Sequence, residues 1–216
     1  MQTINYNRAD AVSYARRWAF GRNPDYYIFD TLGGDCTNFV SQCIFAGAGQ
    51  MNYTPDFGWY YISVTDRAAA WTGVTFLYNF LTTNEGLGPF ATEVNENEIR
   101  LGDVIQLGNN TDGFYHTLII VGFDGEDPLI AAQTNDAYRR PLSTYDYDFL
   151  RYIKILGVRF EVDVKEDCFD SVFNGIAIVT PGTAPIMRED GKTESDGIDN
   201  NGTSPAIAPI NGTANE

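Results

Sequence analysis

Near residue 99 the apolar residues change their spacing, and no other feature restricts the fold as much. Before that point they recur every three to four residues, as on the face of a helix; after it they run or alternate, as in strands. Asn7 reads as an N-cap with Asp10 three residues on. Ala11, Val12, Ala15, Trp18 and Ala19 then make an apolar stripe that Gly21 and Pro24 end. A second helix opens at Cys36, carries Phe39, Val40, Cys43 and Ile44 on one face, and stops near Gly47-Ala48-Gly49. Trp71, Val74, Leu77, Tyr78 and Leu81 mark a third, closed by Asn84-Glu85-Gly86. Residues 99–107 then read as a turn and a strand, and Asn109 to Gly113 as a turn. His116 to Phe123 is apolar and β-branched, so a buried strand. The chain turns at Asp124 to Pro128, returns along Leu129 to Thr134, and forms a further strand at Arg151 to Leu156. Helices followed by an antiparallel meander predict an α+β fold.

Composition bounds the rest. The 216 residues suffice for one full domain with a sizeable core, and 44% hydrophobic content is that of a globular chain. A net charge of −15 argues against nucleic acid as a partner. No apolar run reaches 18 residues, so no transmembrane helix is expected. No apolar h-region opens the chain, which points to the cytoplasm by default, and to secretion or the cell wall if a leader has been removed. The compact domain is expected to span residues 1–157. Val158, Phe160, Val162 and Val164 alternate, so 158–180 can add a hairpin with Ile176 to Val179 as partner. Residues 181–216 are rich in Gly, Pro, Thr and Asn and read as an acidic flexible tail.

Three cysteines, Cys36, Cys43 and Cys168, argue against a disulfide scaffold. Two on one helix at this spacing lie about 10 Å apart along its axis, too far to bridge. Cys43 falls on the apolar face and reads as core. Cys168 stands among Glu166, Asp167 and Asp170, which disfavour a thiolate. Cys36 differs. Gly33-Gly34 allow a tight approach, Asp35 suits the N-cap, and a thiol at a helix N-terminus is predicted to ionise easily. His116 is the chain's one histidine, and paired zinc-ligand spacings are missing, so neither metal nor cofactor is expected.

A cysteine nucleophile needs an imidazole to take its proton, a third polar group to orient that imidazole, and N–H groups for the oxyanion. His116 is the base by elimination. If the hairpin turns near residue 126, His116 lies opposite residues around 135 and 136, which offers Gln133, Asn135 and Asp136. Gln133 and Asn135 share one face and Asp136 takes the other. Aromatics flank the cysteine in the chain: Tyr26, Tyr27 and Phe29 before it, then Tyr53, Phe57, Trp59, Tyr60 and Tyr61. They line a substrate groove or pin their own loops. On the first reading Tyr27, Trp59 and Tyr60 contact substrate.

These residues also carry a resemblance. Asn7-Arg8, Ala11-Val12, Tyr14-Ala15, the block from Gly34 to Cys43 (Gly-Asp-Cys-Thr-Asn-Phe-Val-Ser-Gln-Cys), Trp71, Gly102-Asp103-Val104-Ile105, His116-Thr117 and Thr134-Asn135 together resemble the amidase domain of bacterial proteins, over roughly residues 4–156. That family is grouped with papain-like, NlpC/P60-type cysteine peptidases. The resemblance implies a papain-like α+β fold with the nucleophile helix packed on the antiparallel sheet. It also implies Cys36 as nucleophile, His116 as base, and hydrolysis of an amide or peptide substrate, often one from the cell wall. In that pattern a histidine commonly stands where this chain has Gln133, which can hydrogen-bond but not carry charge. Gln133 and Asn135 thus remain alternatives as the residue that orients His116. Acyl transfer by the same dyad, and a binding module on a catalytically weakened frame, are the competing readings.

Overall fold

The computed structural model describes residues 1–161. The expected strand at 176–179, the surroundings of Cys168 and the acidic tail lie outside the described residues. In chain order the elements are β1 (Gln2–Ile4), α1 (Arg8–Trp18), α2 (Cys36–Ala48), α3 (Ala69–Thr72), α4 (Val74–Thr83), β2 (Gly88–Val94), β3 (Val104–Asn109), β4 (Gly113–Asp124), β5 (Asp127–Ala132), β6 (Ala137–Pro141) and β7 (Phe149–Phe160). The fold is α+β with an antiparallel sheet, in agreement with the change of period near residue 99.

The helices form for reasons visible in the chain. Asn7 accepts the Asp10 N–H through Oδ1 at 3.3 Å, and Arg16 and Arg17 close the last turn of α1 against its negative end. Gly49 takes φ 66° and ends α2. The single helix expected around residues 71–81 is two. Gly73 sits between them in an extended conformation, and a Cβ there would stand 2.7 Å from the Phe76 ring and 3.0 Å from the Ala69 carbonyl.

The sheet runs β1-β7-β3-β4-β5-β6, with β2 also paired to β7. One edge of β7 takes β3 and then β1; the other takes β2. Val158 pairs with Pro89 and Ile4, and Gln2 pairs with Phe160. Residues 158–160, where the expected hairpin begins, continue β7 past the expected boundary at 157, and the rest of that hairpin lies outside the described residues.

Side chains alternate along β4 between two cores. Ile119 and Val121 face the helices, while Leu118 and Ile120 pack with Ile105, Leu107, Ile130 and Leu142 on the other side. Burial on both faces explains why the segment reads as an unbroken apolar run rather than an alternating one. The centre of the helical layer is α2, whose thirteen residues are all buried. A helix buried all round must satisfy its polar side chains internally.

Candidate active site

The approach to Cys36 is built tightly. Gly33 and Gly34 have φ of 102° and 101°, a region open to glycine. A Cβ on Gly34 would lie 3.0 Å from Thr134 Oγ1. The same hydroxyl accepts the Asp35 N–H at 2.6 Å, so the turn after β5 clamps the entry to α2. Thr134 itself has φ 82°, a strained value for a β-branched residue.

Asp35 does not cap α2 with its side chain, contrary to expectation. Its carboxylate turns away and accepts from the Phe29 N–H at 3.0 Å and from Asn38 Nδ2 at 2.9 Å. Its second oxygen lies 3.3 Å from Arg22 Nε. Arg22 also holds Asp30 at 2.9 Å and Asp136 at 2.9 and 3.0 Å. Burial pushes the Asp35 carboxyl upward, against these donors and the guanidinium. Asp136 is thus engaged with Arg22, and the start of α2 has no hydrogen bond from the Asp35 side chain.

The polar residues of the cysteine block are likewise engaged. Thr37 Oγ1 lies 2.9 Å from Thr117 Oγ1 on β4. Asn38 Oδ1 accepts from Trp71 Nε1 at 2.9 Å, and Ser41 Oγ from Trp59 Nε1 at 3.1 Å. Gln42 Oε1 accepts from the Tyr14 hydroxyl at 2.6 Å. The Asn7-Arg8 and Gly102-Asp103 segments meet in an ion pair between half-buried Arg8 and buried Asp103: Arg8 Nη1 lies 2.6 Å from Asp103 Oδ1, which also accepts the Ile155 N–H at 2.9 Å. Most of what makes the motif distinctive therefore anchors α2 and the sheet.

Cys36 opens α2 and is 6% exposed. Its sulfur lies 3.8 Å from Thr37 Oγ1, and the N–H groups of Thr117 and Thr37 favour its thiolate. Burial outweighs them and pushes the thiol above its ordinary range. This reverses the expected easy ionisation: the helix end is present, but desolvation is larger.

His116 precedes Thr117 on β4, so the Cys36 sulfur lies against the peptide that joins them. The imidazole itself is on the other face. Its ring centroid stands 6.3 Å from that of Tyr115 and 6.2 Å from that of Tyr145, which packs on the second core. Nε2 is buried with no hydrogen-bond partner. Burial first, and then the Arg140 charge, lower the His116 pKa to about 4. No hydrogen bond joins Cys36 and His116 among the described residues.

The register explains this placement. Ile119 pairs with Ala131, but the ladder slips between Ile120 and Gly122. Continued, that register sets His116 opposite Thr134, not 135 or 136, and Gln133 opposite Thr117 on the helix face. Gln133 Nε2 donates to the Trp18 and Gly21 carbonyls at 2.7 Å each, closing the end of α1. It makes no hydrogen bond to His116. Asn135 is exposed and makes none either.

The aromatic stretches divide. Trp59 is wholly enclosed, stacked on Phe80 with centroids 5.9 Å apart, so it is a core residue rather than a substrate contact. Tyr60 is half-buried, its ring 5.4 Å from Tyr53. Tyr27 is exposed and lines a groove of about 580 Å³ between residues 24–28 and 61–64. The Tyr27 carbonyl accepts from Asn38 Nδ2 at 3.2 Å, which ties the groove to the first turn of α2. A second cavity, of about 650 Å³, includes Ile99, Phe123 and Glu126. It sits at the hairpin end of β4, about 20 Å along the strand from His116 by strand rise. Among the described residues no group of three or more His, Cys, Asp or Glu could hold a metal ion. Nor is any helix there long and apolar enough to cross a membrane. The contacts made by Arg140 and Tyr145 had no signal in the sequence, and Thr117 and Thr134 were marked only as parts of the family resemblance.

A family profile described as "Putative amidase domain" matches residues 5–155, and the chain belongs to that family. Over 150 residues it is 36% identical to the "Uncharacterized protein YhbB" of Bacillus subtilis (strain 168), covering 67% of this chain and 47% of that protein. The chain therefore spans about half the length of the curated relative it matches. No solved structure matches it significantly.

Proposed function

We propose that this domain hydrolyses amide bonds through Cys36, on a frame of the papain-like, NlpC/P60 type. Membership of the amidase family supports amide hydrolysis in general. The observation that carries the finer reading is the position of the Cys36 sulfur, at the start of the central helix and against the His116–Thr117 peptide.

At neutral pH the thiol is protonated and the imidazole neutral, so the proton moves as the bond forms. The Cβ of His116 is fixed on the opposite face of β4, so the backbone around His116 has to turn over to bring the ring to the sulfur; the unpartnered Nε2 has no hydrogen bond to break in doing so. Nε2 takes the thiol proton as sulfur attacks the carbonyl carbon. The oxyanion is met by the uncapped amides at the start of α2, the Cys36 N–H among them. The imidazolium then gives its proton to the leaving amine, and water, deprotonated by the same ring, hydrolyses the thioester. An amine or alcohol in place of water turns the reaction into acyl transfer. Peptides, those of the cell wall included, are the substrate class in view.

A second reading has its own observation. The missing Cys36–His116 hydrogen bond and the engagement of Gln133 by α1 fit an amide-binding module whose thiol is inert. Iodoacetamide with peptide mapping separates the two. Hydrolysis predicts that modification of Cys36 and loss of amidase activity proceed with the same rate constant, and that His116→Gln slows both. Full activity after Cys36 is modified overturns the proposal.

A further inference from the structure

The groove beside α2 has three features that its part in the fold does not require. Its back wall is rigid: the Tyr26 ring stacks on Trp71 at 5.8 Å and lies 5.0 Å from Tyr61, whose hydroxyl accepts the Tyr27 N–H at 2.9 Å. Its rim is apolar and open, with Tyr27, Ile28, Ile62 and Val64 between 36% and 50% exposed. Exposed apolar side chains gathered around one concavity mark a contact surface rather than scattered surface residues. The third feature is Asp25, which also lines the groove. Its Oδ2 is buried and has no hydrogen-bond partner, and among the described residues no ion pair reaches it. A carboxylate oxygen removed from water and left unpaired is unfavourable unless something cationic completes it.

We propose that this groove is a subsite for an alkylammonium group on an apolar stem, with Asp25 as its counter-ion and the open rim as the seat of the stem. An aromatic wall suits such a cation, since ring faces attract it as a carboxylate does. The Asn38 bond to the Tyr27 carbonyl joins the groove to the helix turn that begins at Cys36. The assignment of the ammonium to the amide substrate rests on the proposed function; the binding of the cation does not.

The test uses the full chain carrying Cys36→Ala, so that binding is read without turnover. Three probes are titrated by calorimetry. Nα-acetyl-lysine methylamide carries a side-chain ammonium, norleucine methylamide carries an α-ammonium, and Nα-acetyl-norleucine methylamide carries none. The proposal expects at least one charged probe to bind about fivefold or more tighter than the neutral one, and the stronger of the two identifies the source of the cation. Asp25→Asn should remove that preference. Equal affinity for all three probes overturns the proposal with no variant of Asp25 needed, as does a preference that survives Asp25→Asn. Neither result touches the Cys36 reading, which fails only on the reactivity and turnover of Cys36.

Discussion

The one histidine gives the structure a clean thermodynamic test. His116 is 9% exposed, its Nε2 is unpartnered, and its pKa is lowered from 6.5 to about 4. A lowered folded-state pKa means that the unfolded chain binds the proton first. The stabilisation is complete above about pH 6.5 and is lost progressively as the pH falls toward 4. Each pKa unit corresponds to about 1.4 kcal/mol, so the fold should lose about 2 kcal/mol from this group between pH 7.5 and pH 5. The perturbation is His116→Gln, which removes the titration while keeping a polar side chain. Urea denaturation of both proteins at the two pH values isolates the histidine, because the carboxylates are common to both. The wild type should lose about 2 kcal/mol more than the variant on acidification. The imidazole proton resonance, the chain's only one, should titrate with a midpoint near 4. An ordinary midpoint near 6.5, with equal acid losses in both proteins, would refute the burial of the ring.

Other outcomes follow from the packing and the chemistry. Asp103→Ala leaves Arg8 and the Ile155 N–H without their buried partner and should destabilise the domain by about 3 kcal/mol, read as a shift of the urea midpoint. Trp59→Phe gives up the bond to Ser41 and should cost about 1–2 kcal/mol while leaving KM unchanged; a large rise in KM would return Trp59 to the substrate groove. Gly34→Ala places a Cβ against Thr134 at a positive φ and should cost about 1–3 kcal/mol, with slower modification of Cys36 by iodoacetamide. Because burial raises the Cys36 thiol and His116 stays neutral down to about pH 4, the reacting thiol–imidazole pair keeps its protonation across the neutral range, and kcat/KM should be flat between about pH 6 and 8. It should show no acid limb near 6.5.

What the sequence made legible is the part that depends on local periodicity. The first two helices, the start of α2 at Cys36, the buried run of β4 and the return of β5 all follow from spacing and caps. The elements it left out are β1, β2 and β6. Each is short or interrupted: β2 carries Pro89 and a register slip after Phe90, and β6 holds Arg139 at φ 58°. β1 and β2 depend on a partner far away in the chain, β7, whereas β6 pairs with the neighbouring β5.

The site was legible as a list of residues but not as a geometry. Cys36 stands where the helix signal puts it. His116 lies on β4 and Gln133 in the turn that follows β5; one ladder slip near Val121 changes which residues share a face, and a shift of one residue turns every side chain over. The sign of the thiol shift was hidden too. A helix dipole can be read from local sequence, but the enclosure of α2 on all sides arises from tertiary packing. The polar letters of the cysteine block looked like chemistry because they are distinctive; Asn38, Ser41 and Gln42 are distinctive because buried tryptophans and a tyrosine need them.

Under the proposed mechanism Cys36 forms a covalent acyl intermediate. Turnover of an amide substrate by wild type and Cys36→Ser, with hydroxylamine present as a competing nucleophile, measures it directly. Covalent catalysis by Cys36 predicts a hydroxamate product from the wild type, an acyl adduct by intact mass that maps to Cys36 after acid quenching, and a loss of at least a hundredfold in kcat for the variant. Unchanged turnover by Cys36→Ser, with no adduct on the wild type, would contradict it.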